Sequence, residues 1–344
     1  MVKVLHIISS LDIGGAEMML YKLVSNHKKK NISHHIICLN KNGKLINRIR
    51  KLKIKVYCLN FTSILNFIKS LNLLISTVKM IKPDVIMTWL YAADLVGIFL
   101  KFKFPNIKLI WNLRCSELKF PYLKLTTFFV IKILRLFSSY PNLLIANSYS
   151  GLKSHLNLGY KTKNKIVIPN GFDTNYFRPD LTLRKKLRLK YNISENDTVL
   201  GFIGKTTKIK GMDTFIEASA YAIKMKSNFK FVFIGPKLDR NNFELVNKLK
   251  KIKCFKNSIL LGEQKQLNEV ILILDILSLT SLSEGFPNVI GESMSCQIPC
   301  VTTDVGDCKK IIGNYGIVTS SFNPKKIASD WYKLYDLTKK DKTI

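Results

Sequence analysis

Acidic side chains are scarce in this chain of 344 residues: 23 Asp and Glu stand against 55 Lys and Arg, a formal charge of +32. So large an excess excludes cationic partners and calls for anions: phosphorylated small molecules, acidic headgroups or nucleic acid. Long uncharged apolar runs are also missing, although mean hydropathy is +0.09. The two best membrane candidates, Phe61–Ile81 and Phe120–Phe137, are broken by Lys69 and Lys79 and by Lys124, Lys132 and Arg135. Neither reaches the ~18 apolar residues that a spanning helix needs. The start, Met1–Ser10, lacks the separated basic, apolar and small-residue regions of a signal peptide, so a cytoplasmic protein is expected. No cysteine pair shows CxxC spacing among the seven, which excludes a disulfide framework and fits a reduced compartment. Cys296, Cys300 and Cys308 are poorly spaced for zinc and have no histidine near them, so no metal is expected. Repeats and low-complexity linkers are absent as well.

What is present is alternation. Strand-like and helix-like segments follow one another throughout, which predicts an α/β fold with parallel sheets. A turn-rich stretch, Pro169-Asn-Gly-Phe-Asp173 through Arg178-Pro179-Asp180, interrupts the pattern and marks a hinge. Domains are accordingly expected at residues 1–175 and 176–322, with a helical end at 323–344. Two doubly wound domains facing each other would set a ligand cleft between the carboxyl edges of two sheets.

Three strand ends of the second half carry the chemistry. In Val199-Leu-Gly-Phe-Ile-Gly204-Lys205-Thr-Thr-Lys208-Ile-Lys210-Gly211, an apolar strand runs into a loop of three lysines ahead of a helix. Full charges beside a helix N-terminus suit a diphosphate. Gly204-Lys205-Thr206 is not a P-loop, because Val199 stands where the first glycine is needed. In Ser281-Leu-Ser-Glu284-Gly285-Phe286-Pro287-Asn288-Val-Ile-Gly-Glu292, Pro287 fits the first turn of a helix. Glu292 is placed to accept from both hydroxyls of a ribose, and Glu284 to face a reacting sugar. Leu260-Leu-Gly262-Glu263 ends a third strand and can frame a nucleobase. Alone, each segment also reads as an ordinary basic turn or capped helix; together they describe one nucleotide crevice.

The second half resembles the donor domain of retaining glycosyltransferases of family 4, which have the GT-B fold of two Rossmann-like domains. The likeness is strongest over Ser283–Gly306, where two glutamates, 284 and 292, enclose seven residues. Ile13-Gly14-Gly15-Ala-Glu17 is similar to the family's N-terminal glycine loop; Arg114 and Asn147 are similar to cleft positions of polysaccharide-type members. The resemblance implies that Lys205 and Lys210 neutralise the diphosphate of a UDP- or GDP-sugar without a metal. It further implies that Glu292 holds the ribose, and that Glu284, Gly285, Phe286, Pro287 and Asn288 lie by the sugar and phosphate with Gly15, Gly204 and Gly262. Gly14, Arg114 and Asn147 would face a saccharide or polyprenyl-linked acceptor in polysaccharide or lipopolysaccharide assembly. Position 205 is Lys where Arg is common. No histidine occupies Tyr91–Asp94 or Arg114–Ser116, where many members place one near the cleft. Family chains also usually run on into a helix that crosses back to the first domain, and this one stops at Leu337–Ile344.

The stretch Phe120–Phe137 reads either as an interfacial helix on an anionic membrane or as a core helix with basic ends. Two other functions stay open: a degenerate member that binds nucleotide-sugar without efficient transfer, and a basic nucleic-acid-binding protein. The latter is disfavoured because the charge is spread over both halves and no nucleic-acid module is recognisable.

Overall fold

The computed structural model describes residues 1–26, 31–61, 64–115, 125–225 and 228–340. Ser116, Lys124, the rest of Phe120–Leu123 and Asp341–Ile344 lie outside them. The chain divides into two compact units, Met1–Asn170 and Gly171–Ile344. The division falls earlier than the boundary expected after residue 175. Phe172 explains the difference: its ring stacks on Phe286, centroids 6.1 Å apart, and packs against the bare face of Gly291.

The first unit holds a parallel sheet of β1 (Val2–Ile8), β2 (Ile32–Cys38), β3 (Lys55–Cys58), β4 (Val85–Trp89), β5 (Lys108–Leu113), β6 (Leu143–Ala146) and β7 (Lys165–Val167), in the order β3-β2-β1-β4-β5-β6-β7. Strand order reverses between β1 and β4, the place where doubly wound sheets open a crevice at their carboxyl edge. Leu20, Val24 and Ile49 pack helices Gly15–Ser25 and Ile46–Lys51 onto one face. Leu74, Val78, Ile98 and Leu134 seat helices Ile64–Ile81, Tyr91–Lys103 and Leu125–Leu136 on the other.

The second unit repeats the plan with β8 (Thr198–Ile203), β9 (Phe229–Ile234), β10 (Ser258–Gly262), β11 (Ile276–Leu279), β12 (Cys300–Thr303) and β13 (Gly316–Thr319), ordered β10-β9-β8-β11-β12-β13. Helix Leu181–Lys190 is tied down by its arginines. Arg184 and Arg188 reach Asp275 at 2.5 and 3.1 Å, and Asp275 also accepts from the Val199 amide at 2.7 Å. Helix Pro324–Lys340 packs inside this unit: Trp331 is fully buried against Phe215 and donates to Ser278 Oγ at 2.8 Å.

Several elements carry little apolar patterning in the sequence. β13 is a four-residue edge strand with a single fully buried position, and helix Tyr149–Asn157 has only Gly151 and His155 buried, so neither carries a strong apolar period. A short helix, Leu267–Val270, is followed by a 3-10 turn at Ile271–Ile273, where the unbroken apolar run has no period to fix its type. Among the described residues no helix is long and apolar enough to cross a membrane.

Candidate functional site

Three neighbouring strands of the second sheet run out into glycines. The Gly204 amide donates to Ile234 O at 3.0 Å, and the Gly235 amide to Gly262 O at 2.9 Å. Gly235 sits at φ +148°, and a Cβ on it would stand 1.9 Å from Gly204 O. The backbones therefore meet with no side chain between them, an edge that a ligand can approach closely.

The lysine loop leaves this edge. Lys205 is exposed on it, and a 3-10 turn at Lys208–Lys210 ends in Gly211 at φ +65°. A Cβ on Gly211 would stand 1.9 Å from Thr280 O, while Thr280 Oγ1 donates to Gly211 O at 2.7 Å. The Leu282 amide donates to Ile209 O, also at 2.7 Å. These links fasten the lysine loop to the loop after β11 and bring two residues together. Lys210 Nζ donates to Glu284 Oε1 at 2.6 Å, and Ser281 Oγ donates to the same oxygen at 2.7 Å. The Lys210 stem lies over Gly204, its Cγ 3.7 Å from where a Cβ would be.

The acidic loop is braced from below. Gly306 at φ +59° lies so close that a Cβ would meet Glu284 O at 2.3 Å, and the Asp307 amide donates to Gly285 O at 3.1 Å. Pro287 is the N-cap of helix Asn288–Ser295 rather than a residue of its first turn. Glu292 is half-buried within that helix. Burial, with the charge of Glu284 added, pushes the Cys308 thiol up to about 12; burial and then Glu292 push Cys296 up to about 11.

Lys210, Glu284 and Gly204 thus form one cluster, Gly285 follows on the braced loop, and Gly262 closes the glycine edge. The sequence missed the three glycines that make the close approaches possible, Gly211, Gly235 and Gly306. A cavity of about 880 Å³ opens beside the cluster, with Thr206, Lys208, Lys237, Asp239 and Phe243 among its walls. It also touches Gly211 and Leu282 but none of Lys205, Lys210, Glu284 and Glu292, so this cavity neighbours the charged cluster without containing it.

In the first unit Gly14 caps helix Gly15–Ser25, and a Cβ on it would run into the Glu17 carboxylate; Gly15 has open space. Asn147 is buried beyond β6, its amide donating to Leu113 O at 3.2 Å. Arg114 lies over Trp89, its Cζ 4.8 Å from the ring centroid. The fold also brings a histidine to the Tyr91–Asp94 stretch, which no linear spacing could reveal. His155 Nδ1 donates to Gly151 O at 2.7 Å, so Nε2 accepts from the Tyr91 hydroxyl at 3.0 Å. Burial lowers its pKa to about 4, which keeps the ring neutral and makes it a packing group.

A family model for glycosyl transferases group 1 matches residues 184–344, and one for Glycosyltransferase Family 4 matches residues 13–176. The chain belongs to glycosyltransferase family 4. This family 4 glycosyltransferase is 31% identical over 138 residues to the N-acetyl-alpha-D-glucosaminyl L-malate synthase of Bacillus anthracis, covering 40% of this chain and 34% of that protein. It is 28% identical over 167 residues to the UDP-Gal:alpha-D-GlcNAc-diphosphoundecaprenol alpha-1,3-galactosyltransferase of Escherichia coli, covering 46% and 39%. The chain spans little more than a third of the length of these relatives. Its fold is GT-B: the structure of Anabaena HepE in complex with UDP-glucose superposes with a TM-score of 0.85 at 20% identity, over 99% of this chain and 91% of that one.

Proposed function

We propose that the protein transfers a sugar, with retention, from a UDP- or GDP-sugar to a lipid-linked saccharide in the assembly of a surface polysaccharide or lipopolysaccharide. The observation that carries this reading is the Lys210–Glu284 contact over the glycine edge of β8 to β10. A diphosphate arriving there meets Lys210, the exposed Lys205 and the N-terminal amides of helices Met212–Met225 and Asn288–Ser295. In the transfer the C1–O bond to the diphosphate breaks and its electron pair leaves with the phosphate. The acceptor oxygen bonds C1 on the same face, and its proton passes to the departing phosphate oxygen. Fixed positive charge beside that oxygen stabilises the charge as it develops, so no metal is required by this scheme. Glu292 is assigned to the ribose hydroxyls, and Gly285, Phe286 and Asn288 to the sugar and phosphate.

A lipid-linked acceptor is supported by helix Leu125–Leu136. Ile131 and Leu134 face the core, yet Leu125, Phe129, Ile133 and Leu136 are exposed on a second apolar stripe. Lys132 and Arg135 flank it, the helix contains no acid, and the exposed Phe102 and Tyr140 continue the surface at a ring separation of 5.1 Å. Such a face suits peripheral docking on an anionic membrane, at its cytoplasmic side. The relatives' own acceptors, L-malate and a diphosphoundecaprenol-linked sugar, are anionic by name.

A second reading, binding without efficient transfer, is favoured by one feature: Lys210 is already neutralised by Glu284. A thermal-shift screen of UDP- and GDP-sugars, followed by a donor-hydrolysis and transfer assay on any binder, separates the two. A stabilising sugar nucleotide that is turned over supports transfer; stabilisation with no turnover supports the second reading; no stabilisation by any of them removes both.

A further inference from the structure

Arg114 follows β5 at the carboxyl edge of the first sheet. Its Nε donates to Asn112 Oδ1 at 2.9 Å and its Nη1 to Asn170 Oδ1. Both acceptors are neutral amides, buried to 2% and 7% exposure. The indole beneath the guanidinium is neutral too: Trp89 Nε1 donates to His6 Nδ1 at 3.2 Å, and burial takes the His6 pKa down to about 3. Among the described residues no carboxylate meets this cation, and burial lowers its pKa to about 10. Arg114 is half-buried, and a charge largely removed from water is ordinarily paired, because an unpaired one forfeits hydration without a Coulombic return. Of its five N–H groups, two have partners among the described residues, which leaves hydrogens on both Nη1 and Nη2. These form the edge that binds two oxygens of one anion side by side. Leu90, next to Trp89, is held at φ 71°, ψ 157°, a conformation that glycine populates and leucine does not. Strain of this kind persists where the surrounding structure must hold a site in place.

The geometry points to Arg114 as the receptor for a negatively charged group of the acceptor, a phosphate or a carboxylate. That the anion belongs to an acceptor rests on the transferase reading; that Arg114 captures an anion does not. The test uses the full chain saturated with UDP, so that added anions do not compete at the lysine loop. Inorganic phosphate and L-malate are then titrated at constant ionic strength while tryptophan emission is followed, Trp111 and Trp331 being fully buried. A saturable change is expected for one of the two, which identifies phosphate or carboxylate as the preferred group. Its Kd should rise about tenfold or more in Arg114→Gln and less in Arg114→Lys, with UDP affinity unchanged in both. No saturable response in the native protein, or an equal response in Arg114→Gln, overturns the assignment. UDP binding measured on the same samples keeps the two questions apart, since its absence counts against the transferase reading alone. Should the variants not fold, modification of native Arg114 by 2,3-butanedione, read by peptide mass spectrometry, replaces them. Protection by phosphate or malate supports the site and equal modification overturns it.

Discussion

Lys210 and Glu284 form a 2.6 Å ion pair between the loops that leave adjacent strands β8 and β11. The Glu284 side chain is 10% exposed and that of Lys210 31%, so the pair is shielded but still reachable. The carboxylate holds the ammonium over the glycine edge. A diphosphate then competes for a cation already in position rather than for a free-swinging one.

Lys210→Ala should therefore lower kcat/KM by about 10² to 10³, the usual scale for losing one group that stabilises a leaving charge. Glu284→Gln should bind UDP at least as tightly as the native protein while transfer falls. In a double-mutant cycle the two substitutions should be clearly non-additive, as expected of groups in contact. Additive effects on UDP binding would remove the pair from the site.

Glu292→Ala should weaken UDP by about 10-fold to 100-fold, the loss expected of a charged hydrogen-bonding partner. The native protein should prefer UDP to 2′-deoxy-UDP, and the variant should not. Equal discrimination in both would assign the ribose to another group.

Gly235→Ala should destabilise the second unit by about 2–4 kcal/mol, because its Cβ would stand 1.9 Å from Gly204 O at a φ of +148°. Urea unfolding measures this; a midpoint equal to native would mean that the glycine edge relaxes freely.

Much of this site was legible from residue types and spacing. The lysines of the loop, the two glutamates and the strand that introduces each segment can all be read from sequence. The glycines at 211, 235 and 306 could not be weighted, because what they touch, Thr280 O, Gly204 O and Glu284 O, comes from remote strands. The same holds for His155, brought to Tyr91 across 64 residues, and for the neutral partners that Arg114 has among the described residues. The sequence of helix Leu125–Leu136 left core and interfacial readings level. The fold gives this helix two apolar stripes, one buried and one exposed.

Asp94 should make stability fall as pH rises. It is fully buried beside Thr88, and burial raises its pKa from 3.8 to about 8. Below pH 4 both folded and unfolded forms hold the proton. Between about pH 4 and 8 only the folded form does, so up to about 1.4 kcal/mol per pH unit is lost from this group. Asp94→Asn mimics the protonated acid and should gain on the native protein over that interval in urea unfolding. His6 and His155, with pKa values lowered to about 3 and 4, act in the opposite sense and withdraw stability as pH falls below about 6.5. A difference between Asp94→Asn and native that is independent of pH would show that Asp94 is charged when folded.

The outer stripe of helix Leu125–Leu136 should bind vesicles containing phosphatidylglycerol and not vesicles of phosphatidylcholine alone. The double substitution Phe129→Ser and Ile133→Ser should weaken that binding at least about tenfold, given about 1.5–3 kcal/mol for each large apolar side chain removed from water. Unchanged co-sedimentation would place the membrane contact elsewhere or nowhere.

Calorimetric titration of UDP-sugars and GDP-sugars into the native protein, Lys210→Ala and Glu292→Ala tests the proposed function most directly. One nucleotide series is expected to bind the native protein at a single site, with both substitutions weakening it by about tenfold or more. Binding of neither series, or binding that both variants retain in full, would contradict the placement of a donor site at the lysine and glutamate loops.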